Sequence, residues 1–425
     1  MEHGFNQAVD QESHSDERNP YILISADSHA GADHATYRSY LESKWHEEFD
    51  AWRGKYKNPY RDLVDDGRTR NWDNERRLRE TQGDGTVGEV LFPNTVPPFF
   101  PSAAVLAGPP RAEDFDKRLA GVRAHNRWLK DFCNDAPAQR AGVAQVFLND
   151  VDEAIKDVEW VKENGLRGGI LLPNLAPDVK WVKPLYDPEY DRLWKVCEDL
   201  GVPVNSHAGT GLPDYGRYKT SSLLYINEVG FYSMRPLVQM ILSGVFERFP
   251  KLKFAVSEQG CAWAPDLMRQ LDTVDLRVKR TGRIGELFYS EDEQLPLRPS
   301  EYFRRNVWVG ATMPSAQDMA TRDTLGEGKF MWGSDYPHNE GTYPFTRECI
   351  RQVMHDVDEA ELRKLFAANA AELYDFDLDA LAPLAAKYGP TPSEVAQPLT
   401  ELPDEPNDVL LRESFANQLE AELGV

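Results

Sequence analysis

Six side chains in this sequence are of the types that bind transition metals, and their positions suggest that they come together. The residues are Asp27, His29, His207, Glu258, Asp335 and His338. Imidazole nitrogens and carboxylate oxygens together ligate zinc, iron or manganese in proteins. We therefore predict a site for one or two divalent ions of Zn, Fe or Mn per chain. Asp335, Glu258 and His338 are also the groups that we expect to transfer protons in catalysis.

The spacing of these residues favours a shared site over separate structural roles. Asp27 and His29 are one residue apart at the end of an apolar run. Side chains i and i+2 of a strand point to the same side. His207, Glu258 and Asp335 each end a different apolar run. A lone histidine is more often a hydrogen-bonded surface residue, and a lone aspartate often caps a helix. Several such residues at the ends of different strands favour a metal site.

Eight short apolar or β-branched segments indicate the elements that position these residues. They span residues 21–27, 88–92, 141–147, 166–172, 202–207, 252–258, 306–312 and 329–335. Most lack polar alternation, which is typical of strands buried on both faces. Helical patterns lie between them, for example at 150–165, where Asp150 is a candidate N-cap and Gly165 a candidate C-cap. Strands that alternate with helices predict a parallel sheet.

Eight parallel strands favour an α/β fold of the closed (β/α)8 TIM barrel type, and an open doubly wound sheet is the alternative. Barrel enzymes carry their chemistry in the loops at the carboxyl ends of the strands, where the six residues fall. We assign residues 20–375 to the barrel, with 30–87 as a long insert after the first strand that forms a lid or an interface. Residues 1–19 are a polar tail, and 376–425 form a C-terminal arm over the barrel or over a neighbouring subunit.

Composition limits the class of partner. Of 425 residues, 41% are hydrophobic and 28% are charged, and the net charge is −22. A surface this acidic repels phosphate backbones and anionic lipids, so we expect no nucleic acid and no membrane partner. No apolar stretch reaches the about 20 residues of a membrane span. The four cysteines are far apart and form no C-x-x-C pair, so we predict reduced thiols in a soluble, cytoplasmic protein.

Three motifs, in order, resemble those of the amidohydrolase-2 branch of the amidohydrolase superfamily. They are D-x-H at 27–29, S-H-x-G-T at 206–210 and W-G-S-D-Y-P-H at 332–338. The branch includes aminocarboxymuconate-semialdehyde decarboxylase and related aromatic-acid decarboxylases, and His207 and Asp335 match its metal ligands. The resemblance covers about residues 20–375. It implies a metal-dependent barrel enzyme acting on a small organic acid or ester, by metal-activated water (hydrolysis) or by metal-assisted decarboxylation.

The sequence departs from this branch at two of the candidate ligands. The first motif is usually H-x-H, whereas this chain has Asp27, and the decarboxylases of the branch carry a histidine where this chain has Glu258. The superfamily also includes a non-haem di-iron oxygenase branch, so a dinuclear iron monooxygenase with Glu258 as a bridge is a second hypothesis. With one metal, Glu258 is instead a general base and His338 orients a ligand. A non-catalytic, metal-stabilised scaffold is the third hypothesis.

Three further residues are candidate substrate contacts. Asn94 ends the second apolar segment and can form a hydrogen bond, Arg235 can pair with a carboxylate, and Trp263 can line an apolar pocket. Arg235 is equally compatible with a salt bridge at a helix start, and Trp263 with plain packing. We expect the substrate to be a small cyclic organic acid. We also expect a homo-oligomer, because the insert and the arm are long.

Overall fold

The computed structural model describes residues 19–55, 66–291, 294–404 and 415, and within them eight parallel strands form a ring. The strands are β1 Leu23–Ala30, β2 Thr86–Pro93, β3 Arg140–Gln145, β4 Gly169–Leu171, β5 Val204–His207, β6 Phe254–Ser257, β7 Val307–Thr312 and β8 Phe330–Gly333. Each pairs with the next along the chain. The ring closes because the Asp335 amide donates to the Asp27 carbonyl (2.9 Å) and the His29 amide to the Tyr336 carbonyl (2.7 Å). The predicted closed barrel is confirmed, and the open sheet is wrong.

Helices connect successive strands and pack outside the ring. They are α1 His34–Tyr40, α2 His46–Lys55, α3 Asn74–Gly83, α4 Phe115–Asn134, α5 Val151–Glu163, α6 Asp191–Leu200, α7 Ser221–Ser233, α8 Arg235–Leu242, α9 Val245–Arg248, α10 Ala264–Thr281, α11 Pro299–Asn306, α12 Ala316–Thr321, α13 Thr346–Met354, α14 Glu359–Arg363, α15 Asn369–Tyr374, α16 Leu378–Tyr388 and α17 Pro392–Val395. A short antiparallel hairpin, Arg283–Ile284 with Leu287–Phe288, follows α10 and corresponds to no predicted segment. Every helix in the described part of the chain is too short or too polar to cross a lipid bilayer.

Local capping around α5 agrees with the sequence. The Asp150 carboxylate accepts hydrogen bonds from the amides of Asp152 (2.9 Å) and Glu153 (3.1 Å) at the start of the helix. Asn164 caps the other end, and Gly165 follows it with φ of +71°, a conformation that glycine adopts without steric cost. The chain therefore turns sharply from α5 toward β4, as the predicted caps require.

The strands are buried at nearly every position, which explains why the predicted segments lack polar alternation. The core has two layers. Side chains such as Ile24, Val90 and Val143 fill the inside of the ring, and a larger cluster packs between the strands and the helices. The six candidate ligands lie toward or just after the carboxyl ends of these strands, the face at which barrel enzymes carry their chemistry.

The described part of the C-terminal arm covers the amino end of its own barrel. Phe376 and Leu381 of this segment belong to the same buried cluster as Ile24 inside the ring. The amide of Tyr21 donates to the carbonyl of Pro390 (2.9 Å), which joins the end of α16 to the start of β1. The predicted arm beyond residue 404, apart from Phe415, and nearly all of the predicted tail lie outside the described residues.

The described helices of the insert form part of the barrel wall. Tyr37 of α1 is buried, and its hydroxyl lies 2.7 Å from His125 Nδ1 on α4. Arg77 of α3 is buried against β2, where it pairs with Glu89 at 2.7 Å. Residues 56–65 of the insert lie outside the described residues. The expected role of the insert as a lid or an interface stays a prediction.

We expect Leu381→Ala to lower the free energy of unfolding by about 2–5 kcal/mol, because it leaves a cavity where α16 closes the barrel. Leu381 is 0% exposed, whereas Leu384 on the same helix is partly buried. Leu384→Ala, the same chemical change, should therefore cost less. Urea unfolding followed by circular dichroism measures both variants. Equal losses of unfolding free energy in the two variants would show that α16 packs less tightly against the barrel than the burial of Leu381 indicates.

Candidate metal centre

β1 carries two of the six candidate ligands into the ring. Asp27 and His29 are one residue apart in the strand, so both side chains face the same side, and both are buried. His29 Nε2 lies 3.5 Å from Asp27 Oδ1. The hydroxyl of Thr312, at the end of β7, donates a short hydrogen bond to Asp27 Oδ2 and fixes the carboxylate. The structure brings this pair together as the spacing predicts.

β5 and the turn after β6 supply the next two side chains. His207 is the last residue of β5, and its Nε2 lies 3.3 Å from Asp27 Oδ1 and 3.0 Å from Glu258 Oε2. The other ring nitrogen, Nδ1, lies 3.0 Å from the Ala208 carbonyl oxygen, to which it can donate a proton. That tautomer leaves the Nε2 lone pair directed at the carboxylates. Phe92 packs on the imidazole, with 4.6 Å between the ring centroids.

The turn after β8 completes the group. Asp335 Oδ1 lies 3.1 Å from His29 Nε2 and 2.8 Å from His338 Nδ1. His338 Nε2 lies 3.2 Å from Asn94 Oδ1, just after β2. Glu258 Oε2 lies 3.4 Å from His29 Nε2. Side chains from four widely separated parts of the chain therefore surround His29.

The six residues fall into two overlapping groups, in each of which the ligand atoms lie within 4.8 Å of one another. One group is Asp27, His29, His207 and Glu258, and the other is His29, Glu258, Asp335 and His338. His29 and Glu258 belong to both groups. Such an arrangement can hold one ion, or two ions that share Glu258 as a bridge.

The carboxylates of the group favour protonated imidazoles. Burial disfavours the imidazolium of His207, but the carboxylates of Glu258 and Asp27 outweigh burial and raise its pKa well above the ordinary value. Burial likewise opposes charge on His338, yet Asp335 raises its pKa to about 10. Burial alone would raise the pKa of Glu258, but His207 and His29 lower it. The buried carboxylates therefore require a compensating cation.

Several buried ligand atoms have no hydrogen-bond partner of acceptable geometry among the described residues. They are both ring nitrogens of His29, Oε2 of Glu258, both carboxylate oxygens of Asp335 and Nδ1 of His338. Leaving a buried polar group unpaired costs about 1–3 kcal/mol, and more for a charged group. These atoms nevertheless crowd toward one another, and a set of imidazole and carboxylate ligands suits zinc, iron or manganese. The residues present therefore fit a divalent metal.

Two of the ligands occupy an unusual backbone conformation. Glu258 and Asp335 have φ of +59° and +57°, in the left-handed region that non-glycine residues avoid at a cost of about 1–3 kcal/mol. The amide of Glu258 donates to the Gly310 carbonyl (3.0 Å), and the amide of Asp335 is held by β1. Strain that neighbouring strands hold in place is common at functional sites, where it aims a side chain.

The group opens on one side into a cavity of about 170 Å³. Ala103, Val105 and Leu106 form an apolar wall, and Tyr225 of α7 and Glu340 lie at other sides. Asn94, a predicted substrate contact, also lines it. None of the described lining residues is a lysine or an arginine. A metal would therefore be the positive centre of this cavity.

The structure places the other two candidate substrate contacts elsewhere. Arg235 is the first residue of α8, and its guanidinium lies 3.2 Å from the side-chain amide group of Gln239 on the same helix. The indole N–H of Trp263 is shared between the carbonyls of Gln259 (3.0 Å) and Gly260 (3.1 Å). Neither Arg235 nor Trp263 lines the cavity. The alternatives, a helix-start contact and packing, describe their positions.

Sequence reasoning missed three residues at the site. Thr312 fixes Asp27, and Tyr225 and Glu340 line the cavity. Thr312 ends the seventh predicted segment, so the rule that polar residues at strand ends belong to the site would have found it. Tyr225 and Glu340 lie beyond the strands, in segments whose path depends on tertiary contacts, and no sequence signal marks them.

A closed (β/α)8 ring with a buried carboxylate and imidazole group at the carboxyl ends of its strands defines a metal-dependent barrel enzyme. The sequence pattern of a known family, described as amidohydrolase, matches residues 65–376. The chain belongs to this amidohydrolase family, and the resemblance drawn from the three motifs is confirmed.

Individual proteins show the same likeness. The chain is 24% identical over 315 residues to 2-amino-3-carboxymuconate-6-semialdehyde decarboxylase of Dictyostelium discoideum, which covers 72% of this chain and 77% of that protein. The crystal structure of 5-carboxyvanillate decarboxylase from Sphingomonas paucimobilis matches with a TM-score of 0.60 and 20% identity, over 84% of this chain and 100% of that one. The enzyme from Novosphingobium aromaticivorans, complexed with manganese and 4-hydroxy-3-methoxy-5-nitrobenzoic acid, gives 0.62 and 19% over 84% and 96%. These structures share the fold of this chain.

We expect His207→Ala to remove most of the bound metal, because it deletes a ligand atom that faces two of the carboxylates. His355→Ala is the matched control, since His355 hydrogen-bonds the Arg351 carbonyl (3.1 Å) on α13, away from the group. Elemental analysis of both purified variants measures the metal content per chain. Full occupancy in His207→Ala would refute the assignment of this ligand.

Proposed function

We propose that this protein is a metal-dependent carboxy-lyase that removes CO2 from a small cyclic organic acid. One observation carries this proposal: the ligand group opens into a small cavity whose described lining contains carboxylates and apolar side chains but no lysine or arginine. Apart from the histidines of the ligand group, a bound metal would be the positive centre that holds an anionic substrate. 5-Carboxyvanillate decarboxylase, one of the similar proteins, is named for a cyclic acid of this kind.

The size and the walls of the cavity support a compact substrate. Its volume of about 170 Å³ is below the usual range of drug-sized pockets, so it suits a single substituted ring. Val105 and Leu106 offer an apolar face for the ring, and Asn94 and Tyr225 offer hydrogen bonds to substituents. A second carboxylate on the substrate would face Glu340 and be repelled.

Decarboxylation replaces a C–COO⁻ bond with a C–H bond, so the site must deliver one proton to the carbon that loses CO2. A bound divalent ion would draw electron density from the substrate carboxylate and from a neighbouring oxygen. His338 is the candidate proton donor, because it lines the cavity and its Nδ1 lies 2.8 Å from Asp335 Oδ1, which favours the protonated imidazole. The proton that His338 gives to the carbon is replaced from solvent, and Glu258, which also lines the cavity, is the general base that could relay it.

A dinuclear iron monooxygenase is a second candidate, and the overlap of the two ligand groups favours it. The six residues supply three carboxylates and three imidazoles, which is enough for two ions. Paired ions in such sites lie about 3.5–4 Å apart. Glu258 reaches both His29 and His207 and is the natural bridge. Carboxylate-rich sites of this composition hold iron pairs in other folds.

Metal content and the fate of the substrate separate these candidates. We expect protein loaded with manganese, iron or zinc to hold about one ion per chain and to release CO2 from a panel of hydroxybenzoic and related cyclic acids. Mass spectrometry and CO2 detection measure this, with an oxygen electrode alongside. Two irons per chain with oxygen uptake and an oxygenated product would establish the monooxygenase. If the protein neither releases CO2 nor takes up oxygen with any acid, the hydrolysis of an ester and the metal-stabilised scaffold remain, and an ester panel separates these two.

We expect Glu258→Gln to lower kcat by about 10²–10⁴-fold, as loss of a general base does. If one metal is bound, its occupancy should persist, because Asp27, His29, His207 and Asp335 remain. If Glu258 bridges two ions, the variant should lose one of them. Measured kcat and metal content together decide between these roles, and a variant unchanged in both would exclude any role for Glu258.

We infer in addition that the protein is a homo-oligomer that associates through α7. Leu223, Ile226 and Phe231 on this helix are 66%, 66% and 71% exposed. The one charged residue of α7, Glu228, accepts a hydrogen bond from Tyr215 (2.6 Å). An apolar helix is normally covered, and in a chain of net charge −22 two copies approach most easily across an uncharged face.

Light scattering tests the association. We expect the double change Ile226→Glu and Phe231→Glu to give a monomer. Phe288→Glu is the matched control, because Phe288 in the hairpin is 76% exposed but lies on another element. An unchanged mass for the α7 variant would contradict the interface.

We also propose a cytoplasmic location, which the four buried free thiols support.

A further inference from the structure

Arg77, on helix α3 of the insert, is a fully buried guanidinium that lies behind the metal group rather than in the cavity. Its Nε and Nη2 donate to the two carboxylate oxygens of Glu89 on β2, at 3.0 and 2.7 Å. Its Nη1 donates to the carbonyl of His29 (2.7 Å) and to that of Arg70 (3.2 Å). Glu89 thus neutralises the charge, and one further N–H group reaches the ligand-bearing strand β1.

The main chain of His29 is held from both sides. Its amide donates to the Tyr336 carbonyl (2.7 Å), and its carbonyl accepts from Arg77. The imidazole of His29 contacts all three carboxylates of the site, Asp27, Glu258 and Asp335. A small rotation of this peptide would therefore move one ligand relative to all the others.

The same helix face also holds the turn after β8. The guanidinium of Arg77 stacks over the ring of Tyr336, with 4.8 Å from Cζ to the ring centroid. The Tyr336 hydroxyl donates to Glu80 (2.7 Å), three residues after Arg77 on α3. Residues i and i+3 share a helix face. Because Tyr336 follows Asp335 directly, α3 braces two ligand-bearing segments at once.

We propose that Arg77 is a positioning residue for the metal centre and sets the affinity of the site for its ion. It does so through the His29 peptide and the Tyr336 ring, without touching substrate or metal. A lysine cannot replace it, because a single ammonium lacks the planar fork that serves Glu89 and the His29 carbonyl together. The proposal depends on the metal site and not on which reaction the metal supports.

The test compares Arg77→Lys with Arg140→Lys in the full-length protein. Arg140 is also buried, donates to the Phe132 carbonyl (2.6 Å) and to Asn74 (2.7 Å) at the start of α3, and makes none of its hydrogen bonds to a ligand-bearing segment. If the loss of a buried guanidinium or a general loosening of α3 were enough to weaken metal binding, the Kd would rise in both variants. Only Arg77→Lys removes the contact with His29.

We expect the Kd for Mn²⁺, measured by electron paramagnetic resonance of the free ion, to rise about 10–100-fold in Arg77→Lys, as is typical when a residue that orients a ligand is lost. Arg140→Lys should bind Mn²⁺ like the unchanged protein, although both variants lose stability. Tyr336→Phe, which removes only the hydrogen bond to Glu80, should show a smaller rise in the Kd for Mn²⁺. This variant replaces Arg77→Lys in the test if Arg77→Lys does not fold.

Equal affinity in the unchanged protein and Arg77→Lys, or an equal rise in Arg140→Lys, would overturn the positioning role while leaving the metal site intact. Failure of the unchanged protein to bind Mn²⁺, Fe²⁺ or Zn²⁺ would overturn the metal site itself and this inference with it. A protein that binds metal but releases no CO2 would overturn only the proposed reaction.

Discussion

The main constraint on the site is the repulsion between three carboxylates that lie close together in the barrel. Asp27 and Asp335 are buried and Glu258 is partly buried, and all three carboxylates lie within 3.5 Å of His29 Nε2, where hydration of their charges is restricted. Such a group is tolerable only when positive charge lies among the carboxylates, from imidazolium protons or from a metal ion. The raised pKa of His207 and the lowered pKa of Glu258 express the same demand. A divalent ion meets it without taking up protons.

Closure of the barrel and geometry of the site are one and the same feature. The hydrogen bonds that join the first and last strands are made by the main chains of ligand residues or of their neighbours, from Asp335 to Asp27 and from His29 to Tyr336. A change in the hydrogen bonds between β1 and β8 would therefore also move the candidate ligands, because the two strands meet at the metal group. Arg77 on α3 contacts both sides of this junction, since it donates to the His29 carbonyl and stacks on the Tyr336 ring.

The two departures from the usual motif alter the chemistry more than the fold. Asp27 and Glu258 are carboxylates at positions where the resemblance leads one to expect histidines, so the group carries more negative charge. The Thr312 hydroxyl donates to Asp27, and His207 Nε2 lies 3.0 Å from Glu258 Oε2, so both carboxylates have a polar neighbour within the barrel. Membership of a fold family therefore does not fix the reaction, which depends on the residues of the site.

The sequence by itself determined the barrel, the N-cap at Asp150 and which six candidate ligands come together. It did so because strand periodicity is local, and because parallel strands bring their carboxyl ends to one face. Only the tertiary structure decided that Arg235 and Trp263 do not line the cavity, that Tyr225 does, and that Arg77 donates to the His29 carbonyl. Loops and inserts take their paths from contacts between residues far apart along the chain, which no local pattern encodes.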